Sequence, residues 1–252
     1  NFSLGTAKQA LLQTGQVFMA EPDYVFKNCA IPNDPDYLPD KQWGLARIEA
    51  AAGWGYTTGS EEIIIAVLDT GIDHNHPDLA AKVIDGYDAI SRETGKPGDP
   101  NGHGTHVAGI AAALTNNGTG IAGVAWGCRL MPVKVLDHMG YGSTGDIVEG
   151  ILWAVENGAD VINMSLSGPG YSRTLHDAVE YALEKNVVVV AAAGNDCKFS
   201  DNSYPAAIPG VISVGAISGR DQKAEFSTEG SHVFLAAPGD AIYSTLPSQR
   251  YG

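Results

Sequence analysis

A chain of 252 residues with 44% hydrophobic and 17% charged residues has material for one large core or two smaller ones and is too apolar to be disordered. Its net charge of −14, from 29 acidic and 15 basic residues, excludes nucleic-acid binding through phosphate contacts, which takes clustered Lys and Arg. No apolar run approaches the roughly 20 residues of a membrane-spanning helix, and no charged and apolar leader is visible at Asn1.

Residues 1–40 differ in character from the rest of the chain. Pro and Asp punctuate AEPDYVF (20–26) and IPNDPDYLPD (31–40), which suits an arm laid over a domain or the tail of something removed. From residue 60 the chain alternates. Strand-length apolar runs occur at IIIAVLD (63–69), RLMPVKVL (129–136), DVINMSL (160–166), VVVVAAAGN (187–195) and VISVGAI (211–217). Several are rich in Val and Ile without period-two alternation, as in parallel strands covered on both faces. Between the first two, NGHGTHVAGIAAAL (101–114) is a small-residue helix opened by His103 between two glycines. STGDIVEGILWAVENG (143–158) gathers Ile147, Ile151 and Val155 on one face, with Ser143 or Thr144 to cap its start and Gly158 its end. In TLHDAVEYALEKN (174–186), Leu175, Ala178, Val179, Ala182 and Leu183 recur at spacings of three and four. Strand and helix in series imply right-handed crossovers and an α/β, doubly wound, mostly parallel sheet flanked by helices. Sites in such sheets lie beyond the carboxyl ends of the strands. The three cysteines, Cys29, Cys128 and Cys197, form no CxxC pair of the kind structural zinc uses. Their spacing assigns no disulfide, and Cys128, beside a strand, reads as a buried free thiol.

Three polar residues fall at that carboxyl edge. Asp69 ends the first strong strand; alone, Asp before Thr-Gly is an ordinary turn-former. His103 opens a helix, whose dipole disfavours imidazolium and should lower its pKa, and its flanking glycines leave room for another group to approach. Asn195 follows a buried strand, where Gly-Asn either turns the chain or aims an amide outward as an oxyanion donor. A structural role serves each singly. Together, a carboxylate, an imidazole and an amide donor are the parts of nucleophilic hydrolysis: orienting Asp, base His and anion-stabilising amide.

The stretches VLDTGIDHNHPDL (67–79), NGHGTHVAGIAAA (101–113), NMSLSGPG (163–170) and VVAAAGND (189–196) resemble the subtilisin-like serine proteases, or subtilases, in their thermitase-like branch. The resemblance runs from about Pro32 to Gly252. It implies the three-layer subtilisin-like fold, with Asp69 orienting the base, His103 as general base and acid, and Asn195 donating to the oxyanion. It also implies a nucleophile in a Gly-Thr-Ser turn, and no Gly-Thr-Ser occurs in the sequence; Ser143, Ser165 and Ser227 lack that turn. The expectation is therefore a serine endopeptidase fragment, residues 31–252 being a catalytic domain without its C-terminal part, inactive as given. The alternative is a non-catalytic peptide-binding protein that ends at residue 252.

By the same resemblance, Gly140, Tyr141 and Gly142 form an edge that pairs with substrate backbone, as in β-augmentation. Ser165, Leu166, Ser167 and Gly168 form the opposite wall, with Ser167 where many relatives have Gly. This displaces a dinucleotide reading of GYGSTG (140–145) and a metallohydrolase reading of HNHPD (74–78). LTNNGTGIAG (114–123) resembles a calcium loop, implying structural Ca²⁺ held by the carboxylates of Asp34 and Asp78, the Asn117 amide and the carbonyls of Leu114, Thr119 and Ile121. GQVFMAEPDYVF (15–26) resembles the tail of a subtilase propeptide, so residues 1–30 are expected to be a propeptide remnant or an extension, with the propeptide as inhibitor. The family further implies a secreted monomer acting on peptides or proteins, with neither nucleic acid nor membrane as partner.

Overall fold

The computed structural model describes residues 4–21 and 31–252. An eight-stranded sheet is built from β1 (Ile64–Asp69), β2 (Gly86–Asp88), β3 (Glu93–Gly95), β4 (Arg129–Lys134), β5 (Val161–Met164), β6 (Val188–Ala192), β7 (Ile212–Ile217) and β8 (Leu235–Pro238). Its spatial order is β3-β2-β4-β1-β5-β6-β7-β8, and among the described residues every pair is parallel except β2–β3. The expected doubly wound sheet is thus observed. β1 lies between β4 and β5, with Asp69 opposite Lys134 and Ala66 opposite Ile162. The chain passes from β4 to β5 across β1, so the topological switch point lies at these three strand ends.

Side-chain alternation assigns each residue of β1 to a layer. Ala66 and Leu68 join one core cluster with Met131, Val133, Ile151, Ile162, Met164 and Val179, while Val67 joins another with Ile72, Leu79, Ala108, Ala112, Ile121 and Leu130. The first cluster lies under α5 (Thr144–Glu156) and α6 (Arg173–Glu184), the second under α4 (His103–Ala112). Of the two candidate caps, Ser143 is the one that serves: it closes a capping box with Asp146, and Gly158 turns the chain off the far end with φ +82°. Two short helices, α2 (Trp43–Arg47) and α3 (Ala50–Trp54), carry a satellite cluster in which Trp54 packs on Trp126 at 4.4 Å between ring centroids.

A hairpin of β9 (Thr245–Leu246) and β10 (Arg250–Tyr251) lies against α4, with Thr245 Oγ1 donating to Thr105 O at 2.7 Å. This hairpin, β2, β3 and β8 are two to four residues long and carry no readable period. Three of the expected strands stop short of their apolar runs: β4 at Lys134, β5 at Met164 and β6 at Ala192. The residues left over leave the sheet together at one edge.

Cys128 is a buried free thiol, as its sequence context suggests, and Cys197 is free and exposed; Cys29 lies outside the described residues. Residues 4–21 contain α1 (Leu4–Gln13), and Phe18 is fully exposed. Residues 5–19 are exposed throughout. The remainder of the propeptide-like segment, residues 22–30, lies outside the described residues.

Candidate active site

Asp69 ends β1 with its carboxylate fully buried. Oδ1 accepts from Thr70 N at 2.8 Å and from His103 Nδ1 at 2.7 Å, while Oδ2 is buried with no partner among the described residues. The His103 side chain is 49% exposed, and its Nε2 makes no protein hydrogen bond among the described residues. The hydrogen bond that His103 donates to Asp69 raises the His103 pKa above 6.5, helped by the charges of Asp69 and Asp99 and opposed by burial. This reverses the expectation of a lowered pKa. A helix N-terminus contributes roughly 0.3–1 kcal/mol at an exposed position, and a charge-assisted bond to a buried carboxylate outweighs it.

The glycines around His103 also act differently from their expected role of giving access. A Cβ on Gly104 would lie 2.1 Å from Gly71 O and 3.1 Å from Asp69 Cβ. Its missing side chain lets the first turn of α4 press on the end of β1, which brings imidazole and carboxylate together. Gly102 holds φ +109° as the residue before the helix.

The edges of β4 and β5 supply the walls. A cavity of about 530 Å³ is lined by His103, by Gly140, Tyr141 and Gly142 on one side and by Ser165, Leu166, Ser167 and Gly168 on the other. All seven expected wall residues therefore meet beside the imidazole. Leu136, Ile147, Leu175 and Tyr204 also line it; the sequence assigned the first three to strand or helix packing and gave no signal for Tyr204. Asn195 is exposed just beyond β6 and is not a lining residue. A Cβ on the preceding Gly194 would sit 3.5 Å from Ser167 Oγ, so that strand end lies against the Ser167 wall. None of the three serines weighed from the sequence contacts His103: Ser143 caps α5, Ser165 Oγ accepts from Asn163 Nδ2 at 3.0 Å, and Ser227 Oγ accepts from Ala216 N.

Lys134 was missed in the sequence because it sits inside an apolar run. Its Nζ donates to Thr70 O at 2.7 Å and Leu136 O at 2.8 Å, tying the turn after β1 to the end of β4. Burial lowers its pKa.

The 114–121 loop brings together Asp34, Asp78 and Asn117. Asp34 accepts from Asn116 N at 2.9 Å and Asn117 N at 3.3 Å; Asp78 accepts from Asn117 Nδ2, Ile121 N and Tyr251 Oη. Both carboxylates are buried, and neither has an ion-pair partner among the described residues. Burial pushes the Asp78 pKa up against the pull of its three donors. Among the described residues no three His, Cys, Asp or Glu side chains are grouped so as to hold a metal ion, so a cation there would take its other ligands from amide and carbonyl oxygens. A buried, anionic, oxygen-rich pair without a cationic partner fits a hard cation such as Ca²⁺. In HNHPD, His76 is occupied on both nitrogens: Nδ1 accepts from Asp78 N at 3.2 Å and Nε2 lies 3.1 Å from Arg250 O. The described helices include none long and apolar enough to cross a membrane.

The sequence matches the profile described as "Subtilase family" over residues 60–252. It is 46% identical over 243 residues to a thermophilic serine proteinase of Bacillus sp. (strain AK1), covering 96% of this chain and 60% of that protein. To thermitase of Thermoactinomyces vulgaris it is 47% identical over 220 residues, covering 87% and 77%. A solved structure described as "Proteases from Pseudoalteromonas arctica PAMC 21717" superposes with a TM-score of 0.80 at 36% identity, covering 88% of this chain and 81% of that one.

Proposed function

This chain belongs to the subtilase family, and we propose that it supplies the base, the cleft and a stabilising cation site of a calcium-stabilised serine endopeptidase. Family membership supports peptide-bond hydrolysis, and residues 31–252 then correspond to the catalytic domain. The observation that carries the reading is the 2.7 Å bond from His103 to buried Asp69 beside a cavity walled by residues 140–142 and 165–168. With Nδ1 held by Asp69, Nε2 is the nitrogen left to take a proton from a nucleophile and return it to the leaving amine. Asp69 fixes the tautomer and stabilises the imidazolium, the two strand edges hold substrate backbone, and Asn195 stabilises the oxyanion.

The chain has no Gly-Thr-Ser, and none of the three serines weighed contacts His103. As given, it is predicted not to turn over, keeping at most the roughly 10³-fold enhancement over water that remains without a nucleophile. A fluorophosphonate probe should leave it unlabelled; stoichiometric labelling would refute the inactivity. The sequence encoded beyond residue 252 separates this reading from that of a non-catalytic peptide binder.

Asp34, Asp78, Asn117 and the carbonyls of Leu114, Thr119 and Ile121 would hold Ca²⁺, whose charge would offset the two buried carboxylates. Chelator should lower the melting temperature and added Ca²⁺ restore it; an unchanged melting curve argues against the site. The remaining family expectations, inhibition by residues 1–30 acting as a propeptide, secretion and a monomeric state, belong to the same reading. The chain spans 60% of the length of the Bacillus proteinase.

A further inference from the structure

Asp69 reaches His103 across a gap between two elements, the end of a strand and the start of a helix. Something must fix their relative position to a few tenths of an ångström, and backbone pairing does not do so, because α4 is not part of the sheet. One buried side chain touches both sides of the gap. Asp99 lies in the loop before α4 and is 9% exposed. Its Oδ1 accepts from Thr70 Oγ1 at 2.8 Å, Asn101 N at 3.0 Å and Gly102 N at 2.8 Å. Its Oδ2 accepts from Thr105 N at 2.8 Å and Thr105 Oγ1 at 2.6 Å. Thr70 follows Asp69, and its Oγ1 also accepts from Gly104 N at 3.0 Å. Asp99 and Thr70 together therefore bind the backbone on both sides of His103 to the residue after Asp69.

We infer that Asp99, acting through Thr70, is a positioning residue for the Asp69–His103 pair: it sets the distance across which the imidazole donates without touching substrate itself. This rests on the proposed roles of Asp69 and His103. A carboxylate suits the position because all five partners are donors. An amide there would turn an N–H toward one of them, so Asp99→Asn keeps the shape and spoils the strap. Thr70→Val keeps the shape and the Asp99 charge but removes the hydroxyl that joins strand to helix. The two variants separate position from charge.

The readout is the tautomer of neutral His103 in the chain as it stands, followed by two-bond ¹H–¹⁵N correlation of the imidazole. Which nitrogen keeps the proton is set by the hydrogen bond the other groups offer, so the Asp69 bond holds it on Nδ1. The wild-type ring should be in the Nδ1–H form, and Asp69→Asn should abolish that preference. In Asp99→Asn and in Thr70→Val the Nδ1–H to Nε2–H ratio should fall about threefold or more. Melting temperatures measured alongside show that each variant is folded when its spectrum is read; a role confined to stability would lower them and leave the tautomer of the folded protein alone. Folded variants with the wild-type ratio overturn the inference, as does a change in Asp99→Asn without one in Thr70→Val, which would be a through-space effect of charge. A wild-type ring without the Nδ1–H preference, or one unaffected by Asp69→Asn, would instead sink the roles of Asp69 and His103 on which the inference stands.

Discussion

Asp69 and Asp78 are the same residue type, buried to the same degree, nine positions apart in sequence, and they are wired in opposite ways. Asp78 is satisfied from within: a side-chain amide, a backbone N–H and a phenol donate to its two oxygens. Burial and the Asp78 bond also push the Tyr251 phenol well up in pKa, so it stays a donor across the accessible pH range. Asp69 spends one oxygen on its own loop and on a half-exposed imidazole, and its other oxygen has no donor among the described residues. Burying a carboxylate oxygen without a partner costs stability. Such a residue persists where its effect on a neighbour matters, and here that neighbour faces the cleft. One carboxylate holds loops together, and the other conditions an imidazole.

The contrast between them breaks first on stability. Asp78→Ala strands three buried or half-buried donors and should cost about 3 kcal/mol in chemical denaturation. Asp69→Ala loses two hydrogen bonds but also removes an unpaired buried oxygen, and should cost about 1 kcal/mol. Equal losses would mean that both aspartates are structural.

A smaller effect sharpens the contrast through pH. The folded-state pKa of His103 lies above 6.5, so its ion pair stabilises the fold fully below that value, and the contribution is lost as pH rises through the raised one. The stability advantage of wild type over His103→Gln should therefore be larger at about pH 5.5 than at about pH 8.5. A pH-independent difference would mean that the ion pair does not stabilise the fold.

The two aspartates also mark what was legible in the sequence. The parallel sheet could be read because Val- and Ile-rich runs such as 63–69 and 187–195 need cover on both faces, and the edge carrying Asp69 and His103 could be read because one ends a strand and the other opens a helix. The wall residues and the cation loop came from motif resemblance, and the structure brings the walls to one cavity. The state of His103 was misread because its strongest neighbour, Asp69, is 34 residues away, whereas the helix dipole is local and visible. The glycine at 104 was misread for the same reason: the atoms it admits, Gly71 O and Asp69 Cβ, belong to another element. Lys134 and Asp99 carry no motif, and their roles exist only once three loops have been brought together.

The most direct test of the Asp69–His103 pair is the titration of the His103 imidazole, followed by NMR in wild type and in Asp69→Asn. A midpoint above 6.5 in wild type that drops on loss of the carboxylate is the predicted result. A midpoint at or below that value in both proteins would contradict it.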